Sequence, residues 1–124
     1  MRFIKEVFAH CDLPCGVYDP AQAKIEAQSV KAIMDKYEGL DEAGKIRAIF
    51  IKEQRAELVK QHLWVLWTDY FKPPHLEKYP DLHTKFWMAT KQAGECKHHN
   101  DPAESQKLLD MIDEIAVIFW ETKK

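Results

Sequence analysis

A histidine, two cysteines and a proline lie within six residues near the start of the sequence, in the run His10-Cys11-Asp12-Leu13-Pro14-Cys15. Thiolates and imidazoles bind soft and borderline metal ions, so these residue types make the segment a candidate metal site. Structural zinc is poorly supported, because it usually takes four side-chain ligands and no second cysteine pair follows. A disulfide framework is disfavoured by the odd total of three cysteines in a chain without an export signal. Thioredoxin-like chemistry would need a CxxC motif, which is absent.

The position of this segment near the N-terminus becomes chemically important if the chain is cut between Ala9 and His10. Residues 1–9, MRFIKEVFA, lack the apolar stretch of a secretory signal and end in a small residue that a processing protease tolerates. Composition alone favours a simpler interpretation, in which these residues are the frayed start of a helix. Cleavage, however, would give His10 a free α-amine, which is an additional nitrogen ligand.

With that amine, the segment offers a planar set of nitrogen and sulfur donors. The amine and the deprotonated backbone nitrogen of Cys11 close one five-membered chelate ring, and the same nitrogen and the Cys11 sulfur close another. The Cys15 sulfur completes an N2S2 plane, which suits Ni(II) or Cu(II), and the His10 imidazole can reach an axial position. A cis Leu13-Pro14 bond would turn the chain back toward the metal. The residues alone predict a planar thiolate redox metal site if the chain is processed.

The remainder of the sequence has the patterns of helices. Asp19-Pro20, Asp41, Asp81 and Asp101-Pro102 are typical of helix starts. Apolar residues at three-to-four spacing then predict helices over about 20–37, 41–70, 81–93 and 102–119. Two prolines at 73–74 end the second helix, and 74–80 is a short connection with room for one helical turn. We expect an all-α protein, an antiparallel four-helix bundle preceded by an irregular N-terminal metal hook at 10–18.

Other residues with chemical potential have simpler interpretations. The aromatic cluster Trp64, Trp67, Tyr70 and Phe71 is expected in the core or at a subunit interface, because its spacing is helical. We expect His98 and His99 to lie in a solvated loop rather than in a metal site. Cys96 is expected to take no part in the chemistry.

Composition excludes several kinds of partner. The 124 residues carry a formal net charge of −2, so neither nucleic acid nor an anionic membrane surface is an expected partner. No apolar run approaches the ~20 residues that span a bilayer. Without an export signal, the expected location is the cytoplasm.

Residues 10–18, HCDLPCGVY, resemble the nickel hook of the nickel-containing superoxide dismutases. The resemblance extends over essentially all of 10–124, through DPAQAKIEA (19–27), IKEQRAEL (51–58), LWTDYFKPPHLEKYPDLH (66–83) and FWETKK (119–124). It implies that residues 1–9 are a leader removed by a protease and that 10–124 form the dismutase domain, with the hook at 10–18 and the helix bundle at 19–124. It also implies a homohexamer and one nickel ion per subunit. The implied reaction converts superoxide to O2 and H2O2 through a Ni(II)/Ni(III) cycle.

The resemblance also implies roles for individual residues. His10 would supply the amine and the axial imidazole, Cys11 its amide nitrogen and thiolate, and Cys15 the second thiolate. Six residues around these ligands have implied roles. Glu26 and Arg55 would orient the His10 ring, Tyr18 and Tyr70 would stand at the mouth of the site, Asp12 would anchor the hook, and Lys72 would attract the anion. Pro14 is expected near the metal because of the turn described above.

Simpler interpretations exist for two of the outer residues. Arg55 on a helix is commonly a member of a surface ion pair, and Tyr70 fits a core position. For the whole chain, one alternative function is a nickel or copper carrier that uses the same hook without turnover. Another is a helical assembly protein whose cysteines are redox-inert.

Overall fold

The computed structural model describes residues 17–124, so the leader and residues 10–16 of the hook lie outside the described residues. Five α-helices follow one another: α1 (Ala21–Tyr37), α2 (Glu42–Val65), α3 (Pro73–Lys78), α4 (Leu82–His98) and α5 (Pro102–Thr122). α2 continues into a π-helical turn, Leu66–Tyr70. The 17–124 region contains no β-strand, which confirms the all-α prediction for that region. No helix in it is both long and apolar enough to cross a bilayer.

Aspartate side chains bind the exposed backbone N–H groups where three of the helices begin. The Asp41 carboxylate accepts a hydrogen bond from the Gly44 N–H at 2.7 Å, and Asp101 accepts one from the Ala103 N–H at 2.9 Å. Asp19 does the same for Ala21 at 2.6 Å. The first N–H groups of a helix have no partner within the helix, so these contacts fix where each helix begins. Asp81 precedes α4 without such a bond.

The four long helices form a bundle in which each packs against two others. α1 and α4 both contact α2 and α5, which places α1 diagonally opposite α4. The connections 38–41 and 99–101 are short, so the helices that they join run antiparallel. Large apolar side chains from all four helices fill the interior, among them Met34, Leu63, Phe86, Ile112 and Phe119. Burying each such side chain stabilises the fold by about 1.5–3 kcal/mol.

α4 extends further than its predicted end near residue 93. Its buried side chains continue at helical spacing through Leu82, Phe86, Ala89, Ala93 and Cys96. The thiol of Cys96 thus belongs to the core stripe, and packing of this face carries the helix past Gly94 to His98. His98 and His99 are exposed, as expected, but the predicted loop is wrong for His98, which is the last residue of α4. His99 contacts the Glu95 carboxylate at 3.2 Å.

Candidate metal centre and its surroundings

The predicted metal ligands His10, Cys11 and Cys15 lie outside the described residues, as do Asp12 and Pro14. Within 17–124, no three or more His, Cys, Asp or Glu side chains come together in a way that could hold a metal ion.

Tyr18 joins the hook to the bundle. It lies two residues before the Pro20-Ala21 start of α1 and packs, half-buried, against the hydrophobic core. Val17, just before it, is exposed. The chain preceding α1 is thus attached to the bundle through the tyrosine predicted to stand at the mouth of the site.

Glu26 and Arg55 form an ion pair between α1 and α2. One guanidinium nitrogen, Nη1 of Arg55, donates to both carboxylate oxygens of Glu26, at 3.1 and 3.2 Å. The Glu26 side chain is only 14% exposed, whereas that of Arg55 is 45% exposed. A carboxylate has about four acceptor positions, so Glu26 retains capacity for a further donor such as an imidazole N–H. The structure therefore brings these two predicted residues together.

Arg55 also lines a shallow depression of about 620 Å³ on the surface of α2. The other lining residues mix apolar with polar and acidic side chains: Phe50, Glu53, Gln54, Glu57, Leu58 and Gln61. The Arg55 end of the ion pair is therefore accessible to a ligand or protein partner that binds along this face of α2.

Tyr70, the second predicted residue at the mouth, lies at the end of the π-helical turn. Its hydroxyl is 2.7 Å from the Thr122 hydroxyl. Its ring stacks parallel to His75, with centroids 5.7 Å apart, and contacts Phe71 and Phe119 at 5.0 and 4.4 Å. Tyr70 therefore packs against the aromatic core, in line with its simpler interpretation. It is also half-exposed at the end of the bundle.

Lys72 lies two residues after Tyr70 and is held by hydrogen bonds to neighbouring residues. Its Nζ donates to the Asp69 carbonyl at 3.0 Å, and its backbone N–H donates to Nδ1 of His75 at 3.0 Å. The ammonium group therefore lies beside the π-helical turn that carries Tyr70.

The predicted residues form two groups at different levels of α2. Arg55 precedes Tyr70 by 15 residues, which corresponds to about 20 Å along a helix axis. Glu26 and Arg55 make one group, and Tyr70 and Lys72 make the other. A single side chain cannot contact both groups, whereas a nine-residue segment can extend over that distance.

Cys96 is separate from these groups and lies fully buried in the core. Burial in the core, with Glu104 nearby, raises the pKa of its thiol to about 12. A thiol that stays protonated at neutral pH is a poor nucleophile and a poor metal ligand. Burial therefore gives a physical reason for the expectation that Cys96 takes no part in the chemistry, which stays a prediction.

Three residues that the sequence did not single out make structural contacts, and two of them contact Tyr70. His75 and Thr122 hold Tyr70, as described above. Lys52 of α2 is 2% exposed and donates through Nζ to the His99 carbonyl at 2.7 Å and to Asn100 Oδ1 at 2.8 Å. Desolvation by burial lowers the pKa of this ammonium. The contacts of Thr122 and Lys52 join residues 47 to 52 positions apart in the sequence, so no local pattern could have indicated them.

Comparison with known proteins points to a single family. A family model described as nickel-containing superoxide dismutase matches residues 5–123. A superoxide dismutase of the nickel type from Streptomyces seoulensis is 62% identical over 120 residues, which are 96% of this chain and 92% of that relative. Its counterpart from Streptomyces coelicolor is 60% identical over 119 residues, 95% and 91% of the two chains. A solved native nickel superoxide dismutase has a TM-score of 0.90 and 60% identity, covering 93% of this chain and 100% of its own.

Three solved variants of such proteins have substitutions in an N-terminal segment. One replaces a histidine that is numbered as the first residue. Another replaces an aspartate two residues later, and a third replaces a tyrosine eight residues after the histidine. His10, Asp12 and Tyr18 have the same residue types at the same spacing in this sequence.

Proposed function

This chain belongs to the family of nickel-containing superoxide dismutases, and from this premise we propose how its own residues build and serve the site. Its activity is the disproportionation of superoxide, and its cofactor is nickel. Two superoxide ions and two protons give one O2 and one H2O2, and bound nickel supplies the one-electron couple for both halves. The family match over 5–123, with 62% identity to a relative of this name, carries the conclusion.

The proposed nickel ligands are His10, Cys11 and Cys15. Two thiolates, an amidate, an amine and an imidazole would form a mixed nitrogen and sulfur donor set, which suits nickel. The buried, protonated Cys96 thiol offers no competing ligand. Asp12 and Pro14 would shape the hook between the two cysteines.

We propose that the chain is cut between Ala9 and His10 before nickel binds, which makes residues 1–9 a leader. The spacing of His10, Asp12 and Tyr18 supports this boundary, because it equals that of the substituted residues in the solved variants, where the histidine comes first. The coverage of the native structure also supports it, since all of that chain matches only 93% of this one. A protease is then an obligatory partner in maturation.

The Glu26–Arg55 pair would hold the His10 imidazole. Glu26 has acceptor positions to spare beside the guanidinium contact, so it can receive the ring N–H and fix the ring orientation. At the other level, Tyr18 and Tyr70 would line the approach of superoxide, and the ammonium of Lys72 would favour the anion there. A hook anchored at Tyr18 is long enough to lie between the two groups.

The subunit is further proposed to act as a cytoplasmic homohexamer. Exposed apolar side chains occur on both helices of the ion pair: Ile25 precedes Glu26 in the α1 sequence, and Phe50 lines the α2 depression together with Arg55. Association of subunits at this face would bury them and close the site toward solvent. A carrier that holds nickel or copper without turnover is not favoured, because the relatives are named as dismutases.

The deciding experiment compares two chains, residues 1–124 and residues 10–124. We expect only the chain that begins at His10 to bind one nickel ion per subunit, by titration, and to accelerate superoxide decay. Cys15→Ser in the shorter chain should abolish both properties, whereas the matched variant Cys96→Ser should keep nickel binding. Equal nickel binding by the two chains would refute the cleavage proposal, and a nickel-loaded chain without dismutase activity would leave the carrier as the function.

A further inference from the structure

We propose that Thr122 is a positioning residue for Tyr70: it accepts the phenolic proton, so that the Tyr70 oxygen faces the approach to the site only as a hydrogen-bond acceptor. The inference rests on the proposed function, because that function places Tyr70 beside the path of superoxide. Thr122 is the last residue of α5 and lies 52 residues from Tyr70 in the sequence.

The direction of the hydrogen bond follows from the single proton of the threonine hydroxyl. Thr122 Oγ1 lies 2.5 Å from the carbonyl oxygen of Phe119 and 2.7 Å from the Tyr70 hydroxyl. A carbonyl oxygen only accepts, so the contact with Phe119 uses the threonine proton. The remaining contact between the two hydroxyls is then a hydrogen bond only if Tyr70 donates. The phenolic proton therefore points toward Thr122 and away from any other acceptor.

The tyrosine ring is fixed in this orientation by its neighbours. His75 stacks on it at an interplanar angle of 4°, and Phe119 and Phe71 contact it at 4.4 and 5.0 Å. His75 is itself fixed, because its Nδ1 accepts the Lys72 backbone N–H at the start of α3. Since ring and hydroxyl are both held, Tyr70 cannot easily turn its proton toward a molecule entering the site.

This arrangement determines what Tyr70 can do in the reaction. An oxygen with only acceptor capacity does not donate a hydrogen bond to superoxide and does not protonate the reduced product. It can instead accept a proton of a water molecule and thereby direct the other proton of that water toward the anion. The two protons of H2O2 then come from donors other than the Tyr70 hydroxyl.

The kinetic test uses Thr122→Val, which keeps the shape of the side chain and removes the acceptor. In the nickel-loaded enzyme we expect Thr122→Val to change the rate constant for superoxide decay by about three- to tenfold, which is the effect of one hydrogen bond. Thr122→Ser keeps the hydroxyl and should have the wild-type rate constant. In a Tyr70→Phe background, Thr122→Val should have no further effect. Thr68→Val is the matched control, because the Thr68 hydroxyl also donates to a backbone carbonyl, that of Trp64 at 2.8 Å. An equal effect of Thr122→Val with and without the Tyr70 hydroxyl would overturn the proposal.

A spectroscopic test separates this proposal from the proposed function. The Fermi doublet of a tyrosine ring in Raman spectra reports whether the phenol donates or accepts a hydrogen bond, and the difference between wild type and Tyr70→Phe isolates Tyr70. We expect a donor-type doublet that Thr122→Val removes and Thr122→Ser retains. An acceptor-type doublet in the wild type would overturn the assignment, even in an active enzyme. Absence of dismutase activity from the nickel-loaded wild type would instead overturn the proposed function.

Discussion

At the scale of single residues, the Glu26–Arg55 pair is more than a stabilising surface contact. Exposed ion pairs contribute about 0–1 kcal/mol to stability, and Arg55 is 45% exposed. Glu26 is the less exposed partner, and it keeps acceptor capacity while both of its oxygens contact one guanidinium nitrogen. We infer that the pair affects the orientation of a ligand more than the stability of the fold.

We therefore predict that Glu26→Gln reduces nickel affinity or dismutase activity by about 10–100-fold, with little change in the unfolding midpoint. The amide still fits the space but presents one acceptor oxygen instead of two, so the imidazole is less well held. Nickel titration and superoxide decay measure the two effects.

The control for this variant is Lys24→Gln, also on α1, which breaks the exposed Lys24–Asp113 pair. It should leave both nickel affinity and activity unchanged. If the two variants behaved alike, Glu26 would be an ordinary surface residue.

At the scale of secondary-structure elements, Lys52 connects α2 to the end of α4. Its ammonium binds the His99 carbonyl and the Asn100 side chain just after the last turn of α4, where carbonyl groups have no partner within the helix. A buried ammonium is costly unless it is hydrogen-bonded, and here two oxygens compensate it. The contact therefore determines how α4 ends and how the chain turns into α5.

We predict that Lys52→Met lowers the free energy of unfolding by about 1–3 kcal/mol, because the oxygens of His99 and Asn100 lose their donor. Urea unfolding of the two proteins gives this difference. Lys60→Met, on the same helix but less buried, is the control and should cost less. If Lys52→Met were as stable as the wild type, the buried ammonium and its two hydrogen bonds would contribute no net stability.

A second interhelical contact, Lys97–Glu57, gives a pH dependence. The hydrogen bond from Lys97, at 2.5 Å, lowers the pKa of the Glu57 carboxyl below its ordinary value of 4.5. A carboxyl with a lowered folded-state pKa stabilises the fold above its unfolded-state pKa and loses that contribution as the pH falls through the folded-state value.

At pH 7, Glu57→Gln should therefore reduce stability by about 0.5 kcal/mol, a small effect because the carboxylate is 40% exposed. The difference between the two proteins should vanish once the pH is below both pKa values. Urea unfolding at a series of pH values measures it, with the exposed residue Glu77 changed to Gln as control. A difference that persisted in acid would mean that Glu57 acts through packing instead of charge.

The elements show what the sequence could and could not predict. Aspartate caps at 19, 41 and 101 and the prolines at 73–74 act locally, so they located three helix starts and the end of the helical segment at Tyr70, although α2 itself ends at Val65 and the last turn, Leu66–Tyr70, is π-helical. The end of α4 was predicted too early, although Cys96 continues the buried stripe of Ala89 and Ala93. The contacts of Lys52 and Thr122 were not predictable, because each depends on two helices meeting far apart in sequence. The metal ligands themselves remain a prediction from residue types, spacing and family membership.

At the scale of the whole molecule, the proposed hexamer depends on the face that carries the ion pair. Phe50 is 64% exposed and lines the α2 depression together with Arg55, and Ile25, the sequence neighbour of Glu26 on α1, is 57% exposed. Single exposed apolar side chains are common on monomers. We infer from the shared depression that Phe50 lies in the proposed contact between subunits.

We accordingly predict that Phe50→Glu shifts the protein from hexamers to smaller species. A glutamate there would forfeit the about 1.5–3 kcal/mol of a buried phenylalanine in each subunit and add a charge beside Glu53 and Glu57. Sedimentation velocity measures the change directly. Trp87→Glu on α4, where the tryptophan is 61% exposed, is the matched control and should leave the assembly intact. If Trp87→Glu dissociated the hexamer and Phe50→Glu did not, the subunits would meet through α4, and the ion pair would face solvent in the assembled enzyme.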